Sequence, residues 1–398
     1  MADTILIVDD EEINRILLAS ILEENGFDYC MAANGDEAIS VAAQEQPDLI
    51  LLDIMMPDKD GYQACKELKE DPVTTHIPII FISTMGDTED KVKGLELGGT
   101  DYITKPFDTG ELLARVNGQL KIKHLTENLL QANRELRQKQ KALDADLSAA
   151  AEIQKSLLPA PPAQTPGLDI AWQFMPCDAV GGDILNILQV DENHWAFYML
   201  DVSGHGVPAA MITVSVQQQL RAKTGLLTKK SIAPPPHYEI RSPSRVLESL
   251  DMEYPIDRFD KYFTITYMLL NVTTGHLTYS NAAHPPPVLL RKNGELELLE
   301  EGGTIIGMDG IIPFDEGEKT LQPGDTVFLY TDGIPEYRNQ EEEFYTIERF
   351  YDDIRNSLGK SSVQATNDII HTVIHEFGEN INPQDDISLL AVRYMGIP

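Results

Sequence analysis

The chain is 398 residues long and carries 31 Lys plus Arg against 64 Asp plus Glu, a formal net charge of −33. Such an excess of acid opposes any role that must neutralise nucleic-acid phosphates or lie on anionic lipid. With 42% hydrophobic and 24% charged residues, the composition is that of a packed protein of two or three domains at about 100–200 residues each, not of a disordered chain. Three cysteines, Cys30, Cys65 and Cys177, are too few and too scattered for a disulfide framework or a zinc site. The N-terminal residues carry no basic leader, and no stretch approaches the roughly 18–20 apolar residues of a membrane span. A soluble cytoplasmic protein is therefore expected, with neither a nucleic-acid nor a membrane partner.

In residues 1–122, short apolar runs at Ile5–Val8, Tyr29–Ala32, Leu49–Asp53, Ile77–Ile82 and Tyr102–Thr104 alternate with amphipathic stretches. The stretches are Ile13–Glu24, Gly35–Gln44, Tyr62–Glu70, Glu89–Leu97 and Thr109–Leu120. Strict alternation predicts an α/β fold, a doubly wound parallel five-stranded sheet with helices on both faces.

Residues 123–158 read as a helical linker. Leu125, Leu129, Ala132, Leu136 and Leu143 step by four and three residues, Lys139 completes the a/d series, and no Gly or Pro intervenes before Pro159. So narrow an apolar stripe suits a partner helix better than the broad face of a globular domain. A coiled coil in a homodimer is expected, with Lys139 and Asp146 at core positions. Pro159, Pro161, Pro162 and Pro166 then end the helix.

In residues 159–398 strand-like runs dominate, at His194–Val202, Tyr262–Asn271, His276–Ser280, Pro287–Leu290, Thr326–Thr331 and Ile387–Val392. Helical patterns fall at Ala209–Ala222, Pro243–Tyr254, Glu348–Leu358 and Ser362–Phe377. Strands in hairpin order with helices apart from them predict an α+β domain on antiparallel sheets. Thr224–Ser242, with Pro234-Pro235-Pro236, reads as a loop or mobile insert.

Two sets of residues carry chemistry. Asp9 and Asp10 follow the first strand and Asp53 ends the third, so all three fall in the crevice where a doubly wound sheet binds its ligand. Three like charges there require a divalent cation. Ser83 or Thr84 at the end of the fourth strand and Lys105 after the fifth add a hydroxyl and an ammonium, which suits transfer of a phosphoryl group to an aspartate.

The runs Ile7-Val8-Asp9-Asp10-Glu11, Leu52-Asp53-Ile54-Met55-Met56-Pro57 with Asp60-Gly61, and Asp101-Tyr102-Ile103-Thr104-Lys105-Pro106-Phe107 resemble the receiver domain of two-component response regulators. The resemblance implies that a sensor histidine kinase phosphorylates Asp53 and that Asp9, Asp10, Asp53 and the Met55 carbonyl hold Mg²⁺. It also implies that Ser83 and Lys105 contact the phosphoryl group and that Tyr102 is an aromatic switch.

The second set is Val180-Gly181-Gly182-Asp183, Leu200-Asp201-Val202-Ser203-Gly204-His205-Gly206, Tyr330-Thr331-Asp332-Gly333 and Gln384-Asp385-Asp386-Ile387-Ser388. Each puts an Asp at a strand end or tight turn, most beside Gly that lets backbone approach a ligand. Oxygen ligands without Cys point to Mg²⁺ or Mn²⁺, and two such ions would aim a water in line at phosphorus. His205 and His284 sit in Gly or Pro turns, where structural roles are favoured over ligation or acid catalysis.

With Ala151–Pro159, Asn281-Ala282-Ala283-His284-Pro285 and Pro323-Gly324-Asp325, this set resembles the SpoIIE-like branch of the PPM metal-dependent serine/threonine phosphatases. The resemblance implies an antiparallel β-sandwich flanked by helices. It also implies two Mn²⁺ or Mg²⁺ bridged by Asp201, with the Val202 carbonyl on one, Asp332 and Asp385 on the other, and Asp183 acting directly or through water. Asn186 stands where the family usually has a second Asp, and Ala283 where it usually has Gly. The implied substrate is a phosphorylated anti-sigma-factor antagonist of the STAS type, in a partner-switching circuit. The rival reading is a non-catalytic adaptor that binds a sigma-pathway protein through the same fold, and four retained aspartates oppose it. A transcription factor is poorly supported, since no helix-turn-helix-like tail or basic patch is present.

Overall fold

The computed structural model describes residues 2–84, 88–106, 108–160, 165–221, 229–232 and 237–397. The chain divides into two units, Met1–Lys141 and Ala142–Pro398.

In the first unit β1 (Thr4–Val8), α1 (Glu12–Glu24), β2 (Asp28–Ala32), α2 (Gly35–Glu45), β3 (Leu49–Asp53), α3 (Gly61–Glu70), β4 (Ile79–Ser83), α4 (Thr88–Glu96), β5 (Asp101–Thr104) and α5 (Thr109–Leu157) alternate as expected. The five strands are parallel in the order β2-β1-β3-β4-β5. The central strands β1, β3 and β4 are buried on both faces, which is why they read as continuous apolar runs rather than alternating ones, whereas edge strand β2 is largely exposed. Ile5 and Ile7 pack with Leu18 and Leu22 of α1 and with Leu112, Val116 and Leu120 of α5. Leu6 and Val8 pack on the other side with Ala38, Ala42, Ala64 and Leu68 of α2 and α3. Asn34 caps α2 by accepting the Glu37 N–H, and Asp60 with Gln63 forms a capping box on α3. β1 lies between β2 and β3, with Val8 opposite Leu52, so the strand order reverses where Asp9, Asp10 and Asp53 emerge.

α5 is one helix of 49 residues. Its first turns close the α1 face of the sheet, whereas Leu125, Leu129, Leu136 and Leu143 are exposed in the single chain.

The second unit contains β6 (Leu168–Met175), β7 (Ile184–Gln189), β8 (His194–Val202), α6 (Val207–Gln219), β9 (Lys229–Ile232), β10 (His237–Ile240), α7 (Pro243–Glu253) and α8 (Ile256–Phe259). It continues with β11 (Phe263–Asn271), β12 (His276–Ala282), β13 (Val288–Leu290), β14 (Leu296–Leu298), β15 (Gly302–Gly303), β16 (Gly317–Thr320) and β17 (Thr326–Tyr330). α9 (Ile347–Asn356), α10 (Ser362–His371), a π-helical turn at Thr372–Phe377 and β18 (Ile387–Tyr394) complete it. One sheet runs β15-β12-β11-β8-β7 with β16 also on β12, and the other runs β14-β13-β17-β18-β6. All pairings are antiparallel except that of β12 with β15.

Alternation along each strand builds the layers. Phe197 and Met199 of β8 meet Leu289, Val327, Leu329, Leu390 and Val392 of the other sheet in the sandwich core. Tyr198 and Leu200 face outward onto Ala209, Ile212 and Val216 of α6 and Val246, Leu247 and Leu250 of α7. Phe328, Tyr330, Leu389 and Ala391 face outward on the far side, onto Phe350 and Ile354 of α9 and Ala365 and Ile369 of α10. The domain is the expected antiparallel sandwich flanked by helices.

Three local expectations are corrected. Thr224–Ser242, predicted as a loop or mobile insert, contains the antiparallel hairpin β9–β10, whose four-residue strands are too short to show a period. Residues 224–228 and 233–236, the three prolines among them, lie outside the described residues. The helix predicted over Ser362–Phe377 changes to π geometry after His371. β6 and β7 were not anticipated, because their exposure does not alternate cleanly and their apolar residues are interrupted by polar ones.

Candidate functional sites

At the receiver crevice the carboxylates of Asp9, Asp10 and Asp53 bring oxygens within 4.8 Å of one another. Asp9 and Asp53 are buried and Asp10 is exposed. Lys105 Nζ lies 2.8 Å from Asp9 Oδ2 and 2.5 Å from Asp53 Oδ2. Burial pushes the Asp53 carboxyl above its usual value, against hydrogen bonding and charge from Lys105 that lower it. Burial also opposes the Lys105 ammonium, but its two carboxylate partners outweigh this and hold its pKa up. The Met55 N–H donates to Asp53 Oδ1 at 3.1 Å, which fixes the turn after β3. Ser83 is buried at the end of β4, and its carbonyl accepts the Lys105 N–H at 2.7 Å. Tyr102 is buried in the cluster that contains Phe81. Phe107 lies outside the described residues. Asn14, which motif reading passed over, donates to both Asp9 oxygens.

In the second unit four segments far apart in sequence converge. Asp183 is buried between β6 and β7, Asp201 is half-buried near the end of β8, Asp332 is half-buried after β17, and Asp385 stands exposed before β18. The carboxyls of Asp183 and Asp201 adjoin each other. Asp183 Oδ2 also accepts from Ser388 Oγ at 2.7 Å. Burial first, then the charges of Asp332, Asp385 and Asp386, push Asp201 up to about 7. Burial, then Asp385 and Glu336, push Asp332 up to about 6. Asp183 is held well above its usual range by burial and by Asp201 and Asp386, and partial burial of its own carboxyl, with the charge of Asp386, raises Asp385. Among the described residues no three of these carboxylates come as close together as the receiver trio does.

The sequence motif contained Asp386 without assigning it a role, and the structure gives it one. Its buried carboxylate accepts the N–H groups of Cys177 at 2.8 Å, Gly182 at 2.6 Å and Asp183 at 3.2 Å. It thereby ties the loop before β7 to the start of β18. A β-carbon on Gly181 would strike the Asp386 carboxylate, and one on Gly333 would strike the Asp386 backbone. These glycines are required by close approach. A β-carbon on Gly182 would lie 3.0 Å from the Val202 carbonyl, so that oxygen directly adjoins the Gly-Gly-Asp turn. Thr213 Oγ1 donates to the Gly182 carbonyl at 2.8 Å. Buried Gln154, near the end of α5, brackets the same turn: Nε2 donates to the Gly181 carbonyl at 2.7 Å and Oε1 accepts the Gly181 N–H at 3.0 Å. Gln217 of α6 donates to the Leu157 carbonyl.

Of the remaining sequence candidates, His205 lies near enough to lower Asp385, while His284 and Asn186 are held by other partners. His284 is buried, bonds Thr264 Oγ1 through Nδ1 at 2.8 Å and is driven down to about 3 by burial, so it is a neutral structural residue. His205 is exposed and pairs with Asp178 at 2.9 Å. Asn186 is buried opposite Tyr198, with Oδ1 accepting the Ile187 N–H at 2.8 Å.

The sequence matches the response regulator receiver domain over residues 5–117 and the family Stage II sporulation protein E (SpoIIE) over residues 191–395. The chain belongs to the SpoIIE family. This SpoIIE-family chain is thus a response regulator receiver joined to a PPM-type phosphatase domain, and Asp183 lies just ahead of the matched range. The receiver is similar to that of the response regulator PleD of Caulobacter vibrioides, 41% identical over 131 residues, 33% of this chain and 29% of PleD. It is also similar to the phosphate regulon regulator PhoB of Escherichia coli, 43% identical over 121 residues, 30% of this chain and 53% of PhoB. The chain therefore spans 29% of one relative and 53% of the other. The SiaA-PP2C domain of Pseudomonas aeruginosa shares the fold of the second unit, with a TM-score of 0.52 at 23% identity over 64% of this chain and 98% of that one. No helix among the described residues is long and apolar enough to cross a membrane.

Proposed function

We propose that this chain is a phosphorylation-controlled protein phosphatase. A histidine kinase phosphorylates Asp53, and the SpoIIE-type domain hydrolyses phosphoserine or phosphothreonine on a STAS-type anti-sigma-factor antagonist. The observation that carries the reading is the convergence of Asp183, Asp201, Asp332 and Asp385, whose raised pKa values mark a place built for added positive charge.

The donor set fits divalent cations. It is all oxygen, it is too negative to stand alone near neutral pH, and its spread suits two ions better than one. Asp201 would be shared between the ions, the Val202 carbonyl would hold one, Asp332 and Asp385 would hold the other, and Asp183 would act directly or through water. At the receiver, Asp9, Asp10, Asp53 and the Met55 carbonyl would hold Mg²⁺. When bound, the phosphatase ions would lower the pKa of the attacking water and offset charge on the phosphoryl oxygens. The chain itself orients the ligands: Ser388 aims Asp183, and Asp386 and Gln154 fix the turn that carries it. At the receiver, Lys105 and Ser83 would contact the phosphoryl oxygens on Asp53, and the rotation of Tyr102 would report them.

α5 supports the link between the two activities. It begins in the receiver core, and near its far end Gln154 grips the Gly181 backbone two residues before Asp183. Its exposed leucine stripe supports pairing with a second copy, so that a shift in pairing moves Gln154. The test of the enzymatic claim is Mn²⁺-dependent hydrolysis of p-nitrophenyl phosphate by the full chain, expected to fall by orders of magnitude in Asp201→Asn. Inactivity with every divalent cation would leave the adaptor reading instead.

A further inference from the structure

After Asp332 the chain doubles back on itself. Arg338 and Phe344 form a β-bridge, the Tyr345 N–H donates to the Tyr337 carbonyl at 2.8 Å, and the Asn339 N–H donates to the Glu343 carbonyl at 3.1 Å. With Gln384 and Asp385 this fold-back lines a cavity of about 450 Å³. Gly333 in its wall directly follows Asp332, and Asp385 belongs to the proposed metal centre. A polypeptide whose phosphoresidue sits at that centre would extend a neighbouring side chain into this space.

The charge in the cavity selects the side chain. Three carboxylates line it, Glu336, Glu342 and Asp385, against one cation, Arg338. Arg338 is already engaged: Nη1 lies 2.9 Å from Glu342, and the guanidinium stands 4.6 Å above the Phe344 ring. Asp385 is assigned to a metal ion. Glu336 remains, exposed, with its N–H donating to the Asp332 carbonyl at 2.9 Å and its carboxylate without an ion pair among the described residues. An uncompensated carboxylate beside a phosphoryl site repels a bare phosphate dianion and attracts a ligand that brings its own positive charge. Phe344, 45% exposed, offers apolar surface to the stem of a long cationic side chain.

We propose that this cavity is a substrate subsite that holds a Lys or Arg side chain of the phosphopolypeptide, close in sequence to the phosphoresidue, with Glu336 as its counter-charge. The proposal rests on the phosphatase reading and adds a substrate class to it.

The test uses the full chain with Mn²⁺ and paired phosphoserine peptides that differ only by Lys or Gln at one position within three residues of the phosphoserine. The wild type should prefer the Lys peptide at the matching position on the order of 10-fold in kcat/KM, mainly through KM. Glu336→Gln should bring the ratio of the two peptides to about 1, Glu336→Lys should invert it, and Glu336→Asp should keep it. The ratio is taken within each variant, so a change in overall rate does not enter. No preference in the wild type, a preference that survives Glu336→Gln, or turnover of p-nitrophenyl phosphate with neither peptide cleaved would overturn the subsite. Failure to hydrolyse any of these esters would instead overturn the phosphatase reading beneath it.

Discussion

Ala283 sits at φ 51°, in the left-handed region, in a turn that Asn281 brackets by accepting the His284 N–H and donating to the His284 carbonyl. A β-carbon there costs about 1–2 kcal/mol, part of which glycine would return through its freer unfolded state. This is the physical reason for the Gly usual at that position. Ala283→Gly should therefore stabilise the phosphatase unit by roughly 0.5–1 kcal/mol. A thermal unfolding midpoint that failed to rise would contradict the strain. The clustered aspartates set the pH behaviour. Asp201 near 7 and Asp332 near 6 mean that the metal-free folded state keeps protons that the unfolded chain releases near 3.8. Their contribution to stability is therefore lost as pH rises from about 4 to 7 and recovered on acidification. Cations that replace those protons should raise the unfolding temperature more at pH 7.5 than at pH 5. An equal Mn²⁺-induced shift at both pH values would show that these carboxylates are not where the ion binds.

Between residue and molecule stands α5, whose two ends serve different masters. Leu112, Val116 and Leu120 are held in the receiver core, while Gln154 holds Gly181 through two hydrogen bonds. Buried backbone groups left without partners cost about 1–3 kcal/mol, so Gln154→Ala should weaken Mn²⁺ activation about tenfold. A Mn²⁺ titration of activity reads this directly, and an unchanged half-saturation would detach Gln154 from the metal turn. Changing Leu129 and Leu136 together to Asp should convert a dimer to a monomer by light scattering. The elements also show what the sequence disclosed. β8 was legible to the residue because both of its faces are buried and its ends are turns. β6 was not, because its later residues are half-buried and carry Trp172 and Gln173 where a clean period would need alternation. Glycines in their motifs draw attention to Asp183, Asp201 and Asp332 in the sequence, and a place just before a strand does so for Asp385. Asp386 was not distinguishable from its neighbour Asp385, since the choice depends on backbone N–H groups more than 200 residues away in sequence. Gln154 lies inside the run Ala151–Pro159, yet only the docking of its helix against Gly181 gives it a role.

For the molecule as a whole, the proposed function requires that one covalent change at Asp53 reset the order of a cluster of carboxylates in another domain. Neither site needs to see the other if α5 carries the change. Both ends must nevertheless respond, because coupling between sites is reciprocal. A phosphorylated receiver should alter Mn²⁺ affinity at the phosphatase, and Mn²⁺ there should alter receiver phosphorylation by the same free energy. The most direct measurement is the phosphatase rate of the full chain with Mn²⁺ before and after treatment with a small phosphodonor and Mg²⁺, in the wild type and in Asp53→Ala. The expected result is a several-fold change in the wild type that is absent from Asp53→Ala. An equal rate in all four conditions, with label demonstrated on Asp53, would contradict the claim that the receiver governs the phosphatase.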